Sequence, residues 1–282
     1  MNRTGAVELR FLDAFVKHGA GGNVAGVVLK AEGLSEARLQ EIARKAGAPE
    51  TAFVSASKLA DFKLRFFTPS EEVPLCGHAT VAAFTLLSLP PARYRQETGA
   101  GLLGVEVMAD GRVFMEQNPP SFASGPPRAA VAAALGLQES SITAPPEIVS
   151  TGLKDLFVEL DTLDRLLSLE PDFERLRRLS EGLDVGGLHV FTTDTVEAPS
   201  TAHCRNFAPR LGIDEEAATG TSNGALACLL FRQGRLDAAR LNNLVFEQGY
   251  SLKRPSEILA RLSPDRVEVG GRAKVSARRL AV

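Results

Sequence analysis

"EVPLCGHATVAAFTLL" (residues 72–87) and "EEAATGTSNGALACLL" (residues 215–230) are the two stretches on which the reading of the fold turns. Aligned without a gap, Cys76 falls on Thr219, Gly77 on Gly220, and Leu86-Leu87 on Leu229-Leu230. In each copy an acidic residue precedes a small residue and a glycine, and the glycine opens a run of small and apolar residues. The copies lie about half the chain apart. Between them "NPPSFASGPPR" (118–128) has the Pro/Gly/Ser composition of a linker. Repeat and linker together predict two similar lobes, each bringing a loop to the N-terminus of a helix.

Around the first copy, residues 6–16 and 24–30 read as strands on either side of the turn "GAGGN". "SEARLQEIARKAG" repeats apolar residues at helical spacing from a Ser35 N-cap to Gly47 just past its end. "ETAFVSA" and "FKLRFFTP" read as strands. "HATVAAFTLLSL" reads as an apolar helix stopped by Pro90-Pro91. "GLLGVEVMADGRVFMEQ" reads as a hairpin turning at Asp110-Gly111. After the linker come a short helix near 128–136, strands near 146–160, helices within 161–182 and strands near 188–195 and 203–207. An apolar helix from about 220 and short C-terminal strands complete the chain. This order is not a regular βαβ alternation, and it predicts an α+β protein with substantial antiparallel sheet.

Composition narrows the function classes. Of 282 residues 44% are hydrophobic, enough for a sizeable core. A net charge of −2 supplies no attraction to nucleic acid or an anionic membrane, and neither is expected as a partner. Three cysteines, an odd number, fit reduced thiols rather than a disulfide framework. The N-terminus "MNRTGAVELRF" lacks a signal-peptide pattern and no apolar run is long enough to span a bilayer, so a cytoplasmic location is expected.

A helix N-terminus presents unpaired N–H groups and the positive end of a dipole, and glycine lets a ligand approach that backbone. Taken singly, such a glycine does no more than begin a helix. Two related by a repeat predict a shared cleft that holds a small anion such as a carboxylate. Gly77 and His78 in one copy, and Gly220, Thr221 and Ser222 in the other, are the candidates. Cys76 invites comparison with thiol racemases, which need two thiols on opposite faces of one carbon. Its partner position holds Thr219, so that mechanism is disfavoured. Cys76 and His78 do not have a usual zinc spacing, and no metal is expected. Cys204 and Cys228 read as buried small residues. Glu50, His78 and Glu216 remain for proton transfer. Burial would carry Glu50 towards a usable acid/base, and the helix dipole favours a neutral His78 imidazole.

At these residues the sequence resembles the phenazine-biosynthesis isomerase (PhzF-like) family, which shares the diaminopimelate epimerase fold. "DAF" with "GGNVAGVVL", "PETAFV", "LRFFTPSEEVPLCGHATVAAF", "RNFAPRLGIDEEAATGTSNGAL" and "EQGYSLKRPSEI" occur in the family's order over nearly the whole chain. The resemblance implies two pseudo-symmetric lobes, each a curled sheet around a central helix: residues 1–118 completed by 270–282, and 119–269. It also implies a homodimer and a reaction without cofactor. Glu50 is then the general acid/base on an amino-acid-like substrate, His78 positions that substrate, and the backbones of Gly77, Gly220 and Thr221 hold its carboxylate. Cys76 lines the same subsite. Two departures stand out: Glu216 where the family commonly has Asp, followed by Ala217 instead of Pro, and Val24 in place of Pro. An amino-acid epimerase or racemase, and a catalytically silent binding homologue, are the alternatives.

Overall fold

A computed structural model describes residues 7–282. Ala6, read above as the first residue of a strand, lies outside the described residues, as do residues 1–5 of the N-terminal stretch. The chain runs β1 (Glu8–Ala14), β2 (Asn23–Val28), α1 (Glu36–Ala46), β3 (Glu50–Ser55), β4 (Phe62–Phe67), β5 (Glu72–Val73), α2 (Gly77–Leu87), β6 (Ala92–Thr98), β7 (Gly101–Val107) and β8 (Val113–Gln117). There follow β9 (Ser121–Ser124), α3 (Arg128–Leu135), β10 (Glu147–Ser150), β11 (Lys154–Glu159), α4 (Leu163–Leu167), α5 (Phe173–Leu183), β12 (Gly187–Thr192) and β13 (Ala202–Ala208). The last elements are β14 (Ile213–Glu216), α6 (Gly220–Arg232), β15 (Leu244–Gln248), β16 (Ser256–Ser263), β17 (Arg266–Gly271) and β18 (Ala273–Ala281).

The two halves repeat one pairing scheme. In the first, β1–β2 is antiparallel, β2–β3 parallel, β3–β4 antiparallel, β4–β6 parallel, and β6–β7–β8 antiparallel. In the second, β10–β11, β11–β12, β12–β13, β13–β15 and β15–β16–β17 follow the same sequence of directions. The short strands β5 and β14 lead into the central helices from β4 and β13. β8 and β17 pair across the seam, so the ladders are continuous from lobe to lobe. β9 crosses to pair with β10, and β18 crosses back to pair with β1. This is an α+β, epimerase-like fold.

Each sheet curls round one helix. α2 is buried from Gly77 to Phe84 and α6 from Gly220 to Leu230, which is why both sequences are apolar or small on every face. Amphipathic helices cover the outer faces. α1, with Leu39, Ile42 and Ala46, packs on Leu9, Phe11, Phe53 and Phe67. In the second lobe α3 to α5 bring Val131, Leu135, Leu166 and Leu176 onto Leu156, Val158, Leu188 and Phe207. α1 begins at a Ser35 cap that accepts the Arg38 N–H and ends before Gly47, as its sequence predicts.

Two elements differ from the sequence reading. The segment read as a linker contains β9, because its polar backbone finds the free edge of β10 once it has crossed to the second lobe. β6 carries Arg93, Arg95 and Glu97 and shows no clean apolar alternation, yet it pairs with both β4 and β7. At the junction of the lobes Phe15 is fully buried with φ 63°. Its ring occupies space that side chains at Gly220 and Gly271 would fill: a Cβ at either would stand 2.8 Å from it. Phe15→Ala is expected to cost about 3–5 kcal/mol in denaturant unfolding, the range for a fully buried aromatic. A loss below about 1 kcal/mol would remove Phe15 from this wedge role.

Candidate active site

β3 and α2 form one wall of the cleft between the lobes, and β11, β13, β14 and α6 form the other. Glu50, Cys76, Gly77, His78, Asp155, Asn206, Glu216, Thr219, Gly220 and Thr221 all line it. Glu50 heads β3 and is only 8% exposed, whereas its sequence position between a helix and a strand would by itself suit a surface residue. His78, on the first turn of α2, is 2% exposed. The cavity volume is ≈ 40 Å³, room for a water or two, so an amino-acid-sized ligand enters only if the walls part.

The helix starts meet back to back. A Cβ on Gly77 would lie 3.3 Å from Gly220 Cα and 3.5 Å from the Thr221 nitrogen. Only the missing side chains allow this approach. Neither N-cap side chain, Cys76 nor Thr219, caps its helix, so both first turns keep backbone N–H groups for a ligand. Thr219 instead donates its hydroxyl to Glu216 Oε2 and accepts from Gln248 Nε2 at 3.0 Å. Gln248 also holds the loop through Glu216 O (2.9 Å) and the Thr219 N–H (3.1 Å). Asn23, from the "GGN" turn of the first lobe, reaches Ala218 O at 3.1 Å and Glu216 Oε1 at 3.5 Å. Val24, beside it, begins a regular β2 rung opposite Asp13.

Glu50 Oε2 and His78 Nε2 are 3.1 Å apart, and His78 Nδ1 is 3.4 Å from Cys76 Sγ. Burial opposes a charged imidazole, but the Cys76 sulfur and the Glu50 carboxylate outweigh it and hold the His78 pKa well above its ordinary value. That direction runs against the neutral form that the helix dipole by itself favours: a carboxylate oxygen 3.1 Å away acts more strongly than a partial dipole charge. Burial pushes the Cys76 thiol up, against the pull of His78. The Glu50, Cys76 and His78 ligand atoms lie within 4.8 Å of one another, the one such grouping among the described residues.

On the other wall Glu216 is raised to about 7, first by burial and then by the Glu50 charge, with His78 and the Thr219 hydroxyl opposing. Ser222 does not line the cleft; it donates its hydroxyl to Asp155 Oδ2. Asp155 Oδ1 accepts the Gly187 N–H at 2.9 Å. Asn206 reaches Ser222 Oγ at 3.4 Å and the buried His189 Nδ1 at 3.2 Å. Burial raises Asp155 to about 6 despite its hydrogen bonds from Ser222, Gly187 and Asn206. Asp155, Asn206, Asn23 and Gln248 escaped the sequence reading. The repeat exposes only what both lobes share, and Asp155 stands where the first lobe has no acid. "GGN" was quoted as a turn; its terminal Asn was the available signal.

A carboxyl held above its unfolded pKa keeps its proton in the folded state while the unfolded state has lost it. Stability then falls as pH rises from about 4 to about 6. For a fully buried group shifted this far the loss is on the order of 2–3 kcal/mol. Asp155→Asn removes that loss. The melting temperature of the variant relative to wild type should climb between pH 4.5 and 7.5 by several degrees. A difference constant across that range would show that Asp155 carries no such penalty.

Comparison with known proteins finds similarity over the whole fold. The profile of the family described as "Phenazine biosynthesis-like protein" (PhzC-PhzF) matches residues 12–279. A Clostridium acetobutylicum protein named as an uncharacterized isomerase is 34% identical over 275 residues, covering 91% of this chain and 90% of its own. The trans-2,3-dihydro-3-hydroxyanthranilate isomerase of Pseudomonas fluorescens is 32% identical over 272 residues, 92% of this chain and 94% of its own. The crystal structure of a Bacillus anthracis phenazine biosynthesis protein of the PhzF family superposes with a TM-score of 0.85 at 26% identity, covering 98% of both chains.

Proposed function

Because the chain belongs to the phenazine biosynthesis-like (PhzC-PhzF) family, we propose that it is an isomerase that moves a proton, without a cofactor, on a small amino-acid-like carboxylate in the cleft. The observation that carries the reading is the buried Glu50–His78 pair, 3.1 Å apart, beside two uncapped helix starts in contact.

The chemistry follows from those groups. The Glu50 carboxylate takes a proton from a carbon of the bound substrate. The electron pair left behind delocalises towards the substrate carboxylate, where the N–H groups at Gly77, His78, Gly220 and Thr221 meet the growing charge. Glu50 then returns the proton at another carbon, so the substrate gains and loses nothing. His78, between Cys76 and Glu50, positions Glu50 at the substrate. Glu216, raised to about 7, is a proton donor at neutral pH from the opposite wall. Thr219 and Asn23 hold its two oxygens.

Cys76 has no thiol opposite it, and burial keeps its own thiol protonated. This favours the proton-shift isomerase over a two-thiol epimerase. The test is proton exchange in deuterated water over a panel of cyclic and unsaturated amino acids that includes trans-2,3-dihydro-3-hydroxyanthranilate. Glu50→Gln is expected to slow exchange at least ~100-fold. Exchange at the wild-type rate in that variant excludes the role given to Glu50. Cys76→Ser should exchange within about tenfold of wild type, whereas abolished exchange would restore the epimerase reading. Ligand-induced thermal stabilisation without any exchange would instead mark a binding protein.

A further inference from the structure

The two walls of the cleft are built on equivalent rungs but carry their acids differently. In the first lobe Ala25 of β2 stands opposite Glu50 of β3. The corresponding rung of the second lobe sets Asp155 of β11 opposite Gly187 of β12. The equivalence is fixed by the next strands over. Ala52 pairs Phe66 and His189 pairs Asn206; Phe66 and Asn206 then pair Val73 and Glu216, each three residues before the aligned Cys76 and Thr219. Gly187 thus sits where Glu50 does, and no side chain fits there, since a Cβ would lie 2.2 Å from Phe207 O. The acid of this wall comes from the neighbouring strand instead.

Its partner also differs. His78, which faces Glu50, aligns with Thr221. Asp155 is 3% exposed and lines the cleft, and among the described residues its hydrogen-bond neighbours are Ser222, Gly187 and Asn206, none of them charged. A buried carboxylate without a counter-ion is costly, and a cation arriving with the ligand offsets that cost. The three donors occupy three of the four lone-pair sites of the Asp155 carboxylate and leave one for a ligand.

We propose that Asp155 is the substrate-binding residue for a cationic amine: the ligand is a zwitterion whose ammonium group sits on Asp155 while its carboxylate sits on the starts of α2 and α6. This rests on the isomerase reading for the carboxylate end and adds the amine end. An anionic ligand without an amine would bring a further negative charge to a cleft already holding Glu50, Glu216 and Asp155, whereas a zwitterion brings none.

Calorimetric binding of L-proline and cis-2-aminocyclohexanecarboxylate, against cyclopentanecarboxylate and cyclohexanecarboxylate, reads this directly. Wild type should prefer each amine-bearing ligand by about tenfold or more, the worth of a charged hydrogen bond. Asp155→Asn should bring that preference to within about threefold without weakening the amine-free carboxylates, and Asp155→Glu should keep part of it. Asp155→Ser repeats the measurement if asparagine disturbs folding. A wild type without preference for the amine, or an Asp155→Asn variant that weakens both ligand types equally, overturns the assignment. Loss of exchange chemistry with the preference intact would overturn the isomerase reading and leave Asp155 in place; exchange without the preference would do the reverse.

Discussion

Two helix N-termini in van der Waals contact are the constraint around which this molecule is arranged. Gly77 and Gly220 permit the approach because neither carries a Cβ. Each end carries about half a positive charge, so bringing them together is unfavourable unless negative charge lies close by. The cleft supplies it. Glu50, Glu216 and Asp155 are buried round the junction, and a bound carboxylate would add to them. The fold therefore creates an anion-seeking spot by geometry and then surrounds it with carboxyls whose protonation the same field influences.

Holding that junction occupies much of the polar chemistry of the core. Gln248 fastens the loop into α6 by its backbone, and Asn23 crosses from the first lobe to the same loop. Phe15 fills the seam beneath Gly220, and the crossed strands β9 and β18 tie each lobe to the other's sheet. Through these buried side chains and crossed strands both lobes hold the orientation of the two helix starts. A proton-shift site needs that rigidity, because a displacement of ~1 Å at the reacting atoms costs about a hundredfold in rate.

Pseudo-symmetry in the backbone coexists with asymmetry in the chemistry. The first wall pairs an acid with a histidine; the second sets an acid among hydroxyl and amide donors. The result is a cleft with distinct ends. Cys76 and Thr219 occupy equivalent positions, yet one is a buried thiol beside His78 and the other a hydroxyl spent on Glu216.

The lobe repeat, the central helices and the glycine turns were legible in the sequence because they depend on local pattern: all-round apolar helices, a cap, a turn, a motif written twice. Glu50, His78 and Glu216 were legible as candidates by residue type and family order. Their burial and their company were not. Glu50 reads as a surface acid until β3 is laid beside β2 and α2 is set against it, and the pull on the His78 pKa is invisible until Glu50 is placed 3.1 Å away. Asp155 is separated from Ser222 and Gly187 by tens of residues, and its chemistry exists only through the parallel pairing of β11 with β12 and the docking of α6. Local propensity and motif order thus determined the elements and the family from the sequence alone. Which acids face one another, which has a histidine beside it and which has only uncharged donors were decided by long-range strand pairing, because charge interactions in a buried cleft depend on distances of a few ångströms that no sequence spacing encodes.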